Sequence, residues 1–187
     1  MTATVHVLTA GYVGDKTAST VTLIRDGAAL VVVDPGMVAA RELILAPLRE
    51  LGVAAGAVTD VVFSHHHPDH TLNAALFPNA RFHDHWAIYQ DDDWHDRDAD
   101  GYQLSEHVRL MRTPGHTPED ISTLVTTASG LVVLSHLWWS AEGPAEDPFA
   151  TDVEALHEYR AAVLKLEPVQ IIPGHGAAFT PSEQTPR

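Results

Sequence analysis

The sequence predicts a layered α/β fold, formed by a single domain over residues 1–187. Strand and helix patterns alternate along the first half of the chain, which is typical of helices packed on a sheet. Hydrophobic residues make up 45% of the chain, and a chain of this length buries roughly 70% of the surface that its unfolded form exposes. No linker interrupts these patterns, so one core and one domain are expected.

Short apolar runs predict the strands of the first half, and apolar residues at helical spacing predict its helices. Asp26-Gly27 supplies a hairpin turn, Asp34-Pro35-Gly36 ends a strand, and Gly52 ends a helix. The predicted strands are Thr4–Leu8, a segment through Val21 and Leu23, Leu30–Val33, Val58–Phe63 and Ala80–His83, and the predicted helices are Val38–Leu51 and Thr71–Leu76.

The second half is richer in strands. Its predicted strands are Val108–Arg112, Ile121–Thr126, Leu131–Leu134 and Val169–Ile172, and its predicted helix is Val153–Leu166.

Composition excludes several classes of site and partner. The chain has no cysteine, so a metal would be bound by His, Asp or Glu. Its 25 acidic and 11 basic residues give a net charge of −14, which disfavours nucleic-acid binding because such binding needs clustered Lys and Arg. No apolar run reaches the length of a membrane span. The first residues show no secretory pattern, so a cytoplasmic protein is expected.

The stretch SHHHPDH directly follows the buried strand predicted to end at residue 63. In an extended segment, His65 and His67 project to the same side. Pro68 is suited to the first turn of a helix, from which Asp69 and His70 would project back toward the same pocket. Four donors aimed at one point predict a metal site.

Two further histidines occur at comparable strand ends. His116 lies in TPGHTPED and His175 lies in IIPGHG, each directly after a Pro-Gly pair that allows a sharp turn. Either one alone is typical of a turn histidine. Together with SHHHPDH they predict a two-metal site of nitrogen and oxygen ligands.

These motifs, HxHxDH, PGHT and PGHG with VVVDPG upstream, resemble the metallo-β-lactamase superfamily over about Val21 to Phe179, and most closely its small hydrolases around metallo-β-lactamase domain-containing protein one. The resemblance implies a four-layer αββα sandwich with metals at the sheet edges. It also implies a hydrolase that uses a metal-activated water on a small-molecule substrate. The implied cofactor is zinc, one or two ions per chain, with iron or manganese as alternatives.

The resemblance divides the candidate ligands into two sets. The residues that match are His65, His67 and His116 for the first metal, and Asp69, His70 and His175 for the second. Asp34 matches a carboxylate that orients a ligating imidazole. Asp69 matches a catalytic group that orients the attacking water or moves its proton.

The sequence departs from the superfamily after Leu131–Leu134, because Ser135 and His136 occupy the positions of a Gly-Asp pair. In most binuclear members, that aspartate bridges the metals. An imidazole nitrogen serves one metal where a carboxylate serves two, which counts against the phosphodiesterase branch. His136 is assigned as a metal ligand and catalytic residue. The alternative is a pocket residue that hydrogen-bonds the substrate.

Trp138 and Trp139 come next and are assigned to the substrate pocket. One is expected to face the core and the other to wall the mouth of the site, which favours an apolar or aromatic part of the substrate.

An acidic stretch contains Asp96, Asp98, Asp100 and Gly101 in the order of a calcium loop. The position that should carry the bidentate carboxylate is His107, so a solvated acidic loop is the preferred interpretation. His83 and His85, at another strand end, are interpreted as structural histidines.

Three functions remain open. The first is a metal-dependent hydrolase of a small ester, lactone, thioester or amide. The second is a metal-dependent endoribonuclease or phosphodiesterase, which the net charge disfavours. The third is a non-catalytic metal or ligand sensor. Oligomerisation is left open.

Overall fold

Two β-sheets pack face to face at the centre of the protein in the computed structural model, which describes residues 2–187. The first sheet consists, side by side, of β1 (Thr4–Thr9), β2 (Val21–Asp26), β3 (Ala29–Val33), β4 (Asp60–Val62), β5 (Arg81–His83), β6 (Ala87–Gln90) and β7 (Asp93–Asp96). The second consists, side by side, of β8 (Val108–Arg112), β9 (Ile121–Thr127), β10 (Gly130–Ser135) and β11 (Gln170–Pro173).

A helix covers the outer face of each sheet. Helix α1 (Glu42–Glu50) buries Ile44 and Leu48 against the first sheet, and α3 (Val153–Lys165) buries Leu156 and Val163 against the second. The short helix α2 (Pro68–Thr71) lies between β4 and β5. Apolar side chains from the inner faces of both sheets form the central core. The predicted αββα sandwich is therefore confirmed.

Pairing of the strands places the predicted site at one edge of the sandwich. Strands β3 and β4 are parallel, as are β10 and β11, and parallel strands end at the same edge of a sheet. Asp34 follows β3, and His65 lies three residues beyond β4. His136 follows β10, and His175 lies two residues beyond β11. The imidazole rings of His65 and His136 are 4.5 Å apart between centroids, so the two sheets meet at this edge.

Several predicted boundaries differ from the structure. Helix α1 begins at Glu42 rather than at Val38. The predicted helix Thr71–Leu76 is replaced by α2, which begins earlier at Pro68, and by a separate 3₁₀ turn over Ala74–Leu76. Proline at the first helical position has its φ already set for a helix, which explains the earlier start. Most other shifts are of one or two residues at element ends, where helices and strands fray.

The loop predicted for the acidic stretch is wrong over part of its length. Asp93–Asp96 forms the edge strand β7, paired with β6. All four of its residues are exposed, so no alternation of polar and apolar side chains marked it as a strand. Its stability comes from backbone pairing and from cross-strand contacts such as Tyr89 with Trp94, whose ring centroids are 4.7 Å apart.

The carboxylates beyond β7 are used by the backbone. Asp98 accepts a hydrogen bond from the Asp100 amide, and Asp100 accepts one from the Arg112 amide.

Within residues 2–187, none of the helices has the length and apolar character that a bilayer crossing requires.

Candidate metal centre

The loop after β4 brings the HxHxDH residues together. The Ser64 amide donates to the Asp34 carboxylate at 2.7 Å, which ties the ends of β3 and β4. The Met37 amide donates to the Asp69 carbonyl at 2.9 Å. A Cβ on Gly36 would lie only 1.6 Å from that carbonyl oxygen. Glycine at position 36 is therefore what allows the loop after β3 to approach the start of α2.

A first group of donor atoms consists of three imidazole nitrogens. Nε2 of His65 lies 3.0 Å from Nδ1 of His67, and Nε2 of His116 lies 3.2 Å from the same atom. His65 and His116 are buried, whereas His67 is exposed. The structure thus brings together the residues predicted for the first metal.

A second group lies beside the first. Oδ2 of Asp69 lies 3.5 Å from Nε2 of His70 and 3.6 Å from Nε2 of His175. Nε2 of His70 is buried and has no hydrogen-bond partner among residues 2–187. The structure also brings together the residues predicted for the second metal.

His136 lies between the two groups. Its Nε2 is 3.1 Å from Nε2 of His175, and its ring centroid is 4.3 Å from that of His116. Nitrogens of His65, His116 and His136 lie within 4.8 Å of one another, as do those of His70, His136 and His175. A Cβ on Gly174 would lie 2.4 Å from Cδ2 of His136. Gly174 therefore makes room for this imidazole.

In three of these histidines, a hydrogen bond to Nδ1 determines whether Nε2, the nitrogen facing the centre, carries a free lone pair. Nδ1 of His175 lies 2.9 Å from the Ala18 carbonyl, which only accepts, so this nitrogen carries the proton. Nδ1 of His70 likewise faces Asp34 at 2.9 Å, and Nδ1 of His116 faces Asp147 at 2.7 Å. In each neutral ring, Nε2 is then an unprotonated acceptor.

The donor set fits a metal ion. Where both nitrogens of such a pair are unprotonated, separations of 3.0–3.2 Å bring two lone pairs together, and these repel unless a cation lies between them. Donors at 2.0–2.1 Å from a tetrahedral zinc ion lie about 3.3 Å apart, close to the observed separations. Imidazole and carboxylate ligands suit zinc, iron and manganese.

Electrostatics favour neutral imidazoles at most of these positions. Burial, and then neighbouring imidazoles, lower the pKa of His65 and of His136 well below the usual value. Burial is also the largest cause that lowers the pKa of His67 and of His175. Metal ligation requires the neutral form of histidine.

His70 behaves differently. Burial lowers its pKa, but the carboxylate of Asp34, with smaller contributions from Asp69 and Asp120, outweighs burial and leaves the pKa raised. A bound cation would have to displace a proton from this ring, because metal and proton compete for the same nitrogen.

A cavity of about 620 Å³ opens above the donors. Its lining combines donor residues with apolar side chains; the apolar and neutral members are Val13, Thr17, Met37, Pro68, Trp139 and Phe149. Trp139 stacks on Phe149, with ring centroids 5.9 Å apart. Among the residues that the structure describes, no lysine or arginine lines this cavity.

The assignment of Trp138 to the substrate pocket is wrong. Trp138 is fully buried in the core beneath α3, and its indole donates to the Pro186 carbonyl at 2.9 Å. Trp139, in contrast, lines the cavity. One tryptophan in the core and one at the mouth is the arrangement expected from the pair.

Other histidines lie outside the centre. Nε2 of His66 is 3.0 Å from the Asp84 carboxylate. Nε2 of His83 is 2.9 Å from the buried Asp60 carboxylate. The ring of His85 stacks on Trp86. These contacts agree with structural roles.

Two acidic residues next to the centre were missed by sequence reasoning. Burial raises the pKa of Asp120 to about 7, although its carboxylate accepts hydrogen bonds from Thr117. Asp120 lies 3.8 Å from Nδ1 of His65, and its place in TPGHTPED was a usable signal. Asp147 contacts His116 from a loop 31 residues further along the chain, and no motif marked it.

Comparisons with known proteins agree with the fold and the motifs. The family model of the metallo-beta-lactamase superfamily matches residues 14–177. The chain is similar to metallo-beta-lactamase domain-containing protein 1 of Xenopus laevis, with 38% identity over 94% of this chain and 80% of that protein. It spans 48–62% of the length of other curated relatives that it matches.

Solved structures share the fold at low sequence identity. One is an N-acyl homoserine lactone hydrolase with the product N-hexanoyl-L-homoserine bound at its catalytic metal centre. Its TM-score is 0.70 and its identity 19%, and the match covers 93% of this chain and 92% of that chain. Another is TTHA1623 in a di-iron-bound form, with a TM-score of 0.68 and 20% identity, over 92% of this chain and 94% of that chain.

Proposed function

The chain belongs to the metallo-β-lactamase superfamily and is a metal-dependent hydrolase, and on that premise we propose that its substrate is a small ester, lactone, thioester or amide. The observation that supports this proposal most strongly is the convergence of imidazole nitrogens beside an apolar-walled cavity. Such a site combines ligands for a metal with room for a small acyl group.

The proposed cofactor is zinc, one or two ions per chain, with iron as the first alternative because the structural neighbour TTHA1623 has a di-iron form. His65, His67 and His116 would hold one ion, and Asp69, His70 and His175 the other. When bound, the metals supply Lewis acidity and lower the pKa of water, so that a nucleophile forms near neutral pH.

Asp69 is proposed as the residue that accepts the proton of the attacking water. Its carboxylate lines the cavity and is about one-fifth exposed. Its Oδ2 lies within 3.6 Å of imidazole nitrogens of both His70 and His175. This oxygen is placed to orient an attacking water and to accept its proton, which then becomes available to the leaving group.

His136 is proposed as a ligand of the second metal, because its Nε2 lies 3.1 Å from Nε2 of His175. It brings a donor atom but no charge. Two dications next to Asp69 as the one anionic ligand would repel one another, so the metals are expected to bind in two unequal steps.

The apolar wall is proposed to bind the acyl portion of the substrate. Trp139 and Phe149 form a stacked pair at the mouth, and Met37 and Val13 line the same cavity. A lactone hydrolase with the same fold binds an N-hexanoyl product at its metal centre, which supports acyl-lactones as the first substrates to test.

The test is a panel of chromogenic esters, acyl-lactones, thioesters and phosphodiesters, each with short and long apolar groups, assayed with the zinc-loaded protein. Turnover of the carboxylic substrates, increasing with apolar chain length, is expected. Turnover of phosphodiesters alone would favour the nuclease, and binding without any turnover would favour the sensor. The absence of lysine and arginine from the lining of the described cavity gives an extended phosphate backbone no cationic side chain to contact beside the metals.

A further inference from the structure

We propose that Asp147 is a positioning residue for the metal centre: it holds the His116 imidazole in one tautomer and one orientation. This inference rests on the proposed function, because it concerns a ligand of the first metal. Asp147 lies in none of the motifs that predicted the site, and the family match does not single it out.

The Asp147 carboxylate accepts hydrogen bonds from three residues. Oδ2 accepts from Nδ1 of His116 at 2.7 Å and from the indole of Trp139 at 3.2 Å, while Oδ1 accepts from the Phe149 amide at 2.9 Å. The side chain is buried. A buried carboxylate on the outer nitrogen of a ligating histidine fixes the ring and increases its basicity.

The segment that carries Asp147 is anchored independently of the centre. The guanidinium of Arg160, fully buried beneath it, donates to the carbonyls of Leu137, Ala145 and Pro144 at 2.8, 2.7 and 2.7 Å. These bonds tie residues 144–145 to α3. Asp147 is therefore held by the core and does not simply follow His116.

The far end of this segment is tied to the histidine loop itself. The Thr151 amide donates to the His116 carbonyl and the Asp152 amide donates to the Gly115 carbonyl, both at 3.0 Å. The backbone of His116 and the carboxylate that faces its ring are thus fixed relative to one another. The imidazole is left with little freedom to turn its Nε2 away from His67.

The same segment forms the apolar wall of the cavity. Trp139 donates to Asp147 and stacks on Phe149, whose own amide donates to Asp147. A substrate that packs against Trp139 and Phe149 therefore contacts the residues that hold the His116 carboxylate partner. Substrate binding and the geometry of one metal ligand share a single structural unit.

A purely structural role would make Asp147 only the acceptor for the Phe149 amide. Asp147→Asn separates the two roles, because an asparagine carbonyl oxygen still accepts from that amide, whereas the charge facing His116 is removed. Glu146→Gln is the matched control, since it removes the same charge from the adjacent, exposed residue.

The experiment measures zinc affinity of the metal-free proteins by competition with a chromophoric chelator, and the absorption spectrum after cobalt loading. We expect Asp147→Asn to weaken binding of the first zinc by about 10–100-fold and to change the cobalt spectrum, whereas Glu146→Gln leaves both within twofold of the native protein. Equal zinc affinities in Asp147→Asn and the native protein would overturn the inference, as would an equal loss in the control.

A second measurement needs no folded variant. In the metal-free native protein labelled with ¹⁵N-histidine, long-range ¹H–¹⁵N correlation should show His116 protonated on Nδ1, and a ring protonated on Nε2 alone would overturn the inference. A native protein that binds no zinc would overturn the proposed function as well. Native zinc binding with no response to Asp147→Asn would overturn this inference alone.

Discussion

Replacing Gly174 with alanine tests whether His136 is a metal ligand, without removing any donor atom. The added Cβ would lie 2.4 Å from Cδ2 and 3.0 Å from Nε2 of His136. Carbon atoms in contact prefer about 3.5–4.0 Å, so the ring must move by about 1 Å. Metal–ligand distances vary by only about 0.2 Å. A shift of this size would therefore move the His136 nitrogen out of bonding distance of a metal. If His136 is a ligand, zinc affinity should fall at least about tenfold, or about 1.4 kcal/mol.

Stability and binding must be separated in this test. Overpacking at Gly174 should also lower the free energy of unfolding by about 1–3 kcal/mol, which urea denaturation of the metal-free protein measures. Gly56→Ala is the control, because its Cβ would meet Asn79 at an ordinary 3.4 Å. A double-mutant cycle with His136→Ala assigns the effect to this ring. Unchanged calorimetric zinc affinity in a destabilised Gly174→Ala protein would refute the role of His136 as a ligand.

Asp69→Ala should remain folded and lower turnover by about 10²–10⁴, as expected for a positioned acid–base group; undiminished rates would exclude that role. His136→Asp should tighten the weaker zinc site in calorimetry, because a carboxylate adds negative charge between the cations; two equal sites unaffected by the change would contradict this. Asp26→Asn should lower the free energy of unfolding at pH 7 by about 1.5–3 kcal/mol, because Asp26 accepts hydrogen bonds from Ser105 and His107. Burial raises the pKa of Asp26, but these bonds outweigh it and leave the pKa lowered. The contribution is therefore present above the unfolded pKa of about 3.9 and lost as pH falls through the folded pKa, so the urea midpoints of the two forms should converge there.

The site was largely predictable because its residues are contiguous or lie directly after strands. HxHxDH occupies six consecutive residues directly after a predicted buried strand, so its donor side chains cannot lie far apart. His116 and His175 follow Pro-Gly pairs. Asp147 and Arg160 could not be predicted in the same way, since their importance depends on where a Pro- and Gly-containing loop packs in three dimensions.

Edge strand β7 could not be predicted from the sequence. Two of its four residues are aspartates and all four are exposed, so no hydrophobic period distinguishes it from a loop. The direction of the Trp138 side chain could not be predicted, because the sequence alone does not say which of two adjacent tryptophans faces the core. The single domain and the cytoplasmic location stay predictions.

Zinc-edge anomalous diffraction from crystals grown with zinc tests the proposed metal centre directly, since it locates metal without any assumption about activity. We expect a peak at bonding distance from Nε2 of His65, Nδ1 of His67 and Nε2 of His116, and a weaker peak beside Asp69 and His175. An ordered histidine cluster with no anomalous density, in crystals that contain zinc, would contradict it.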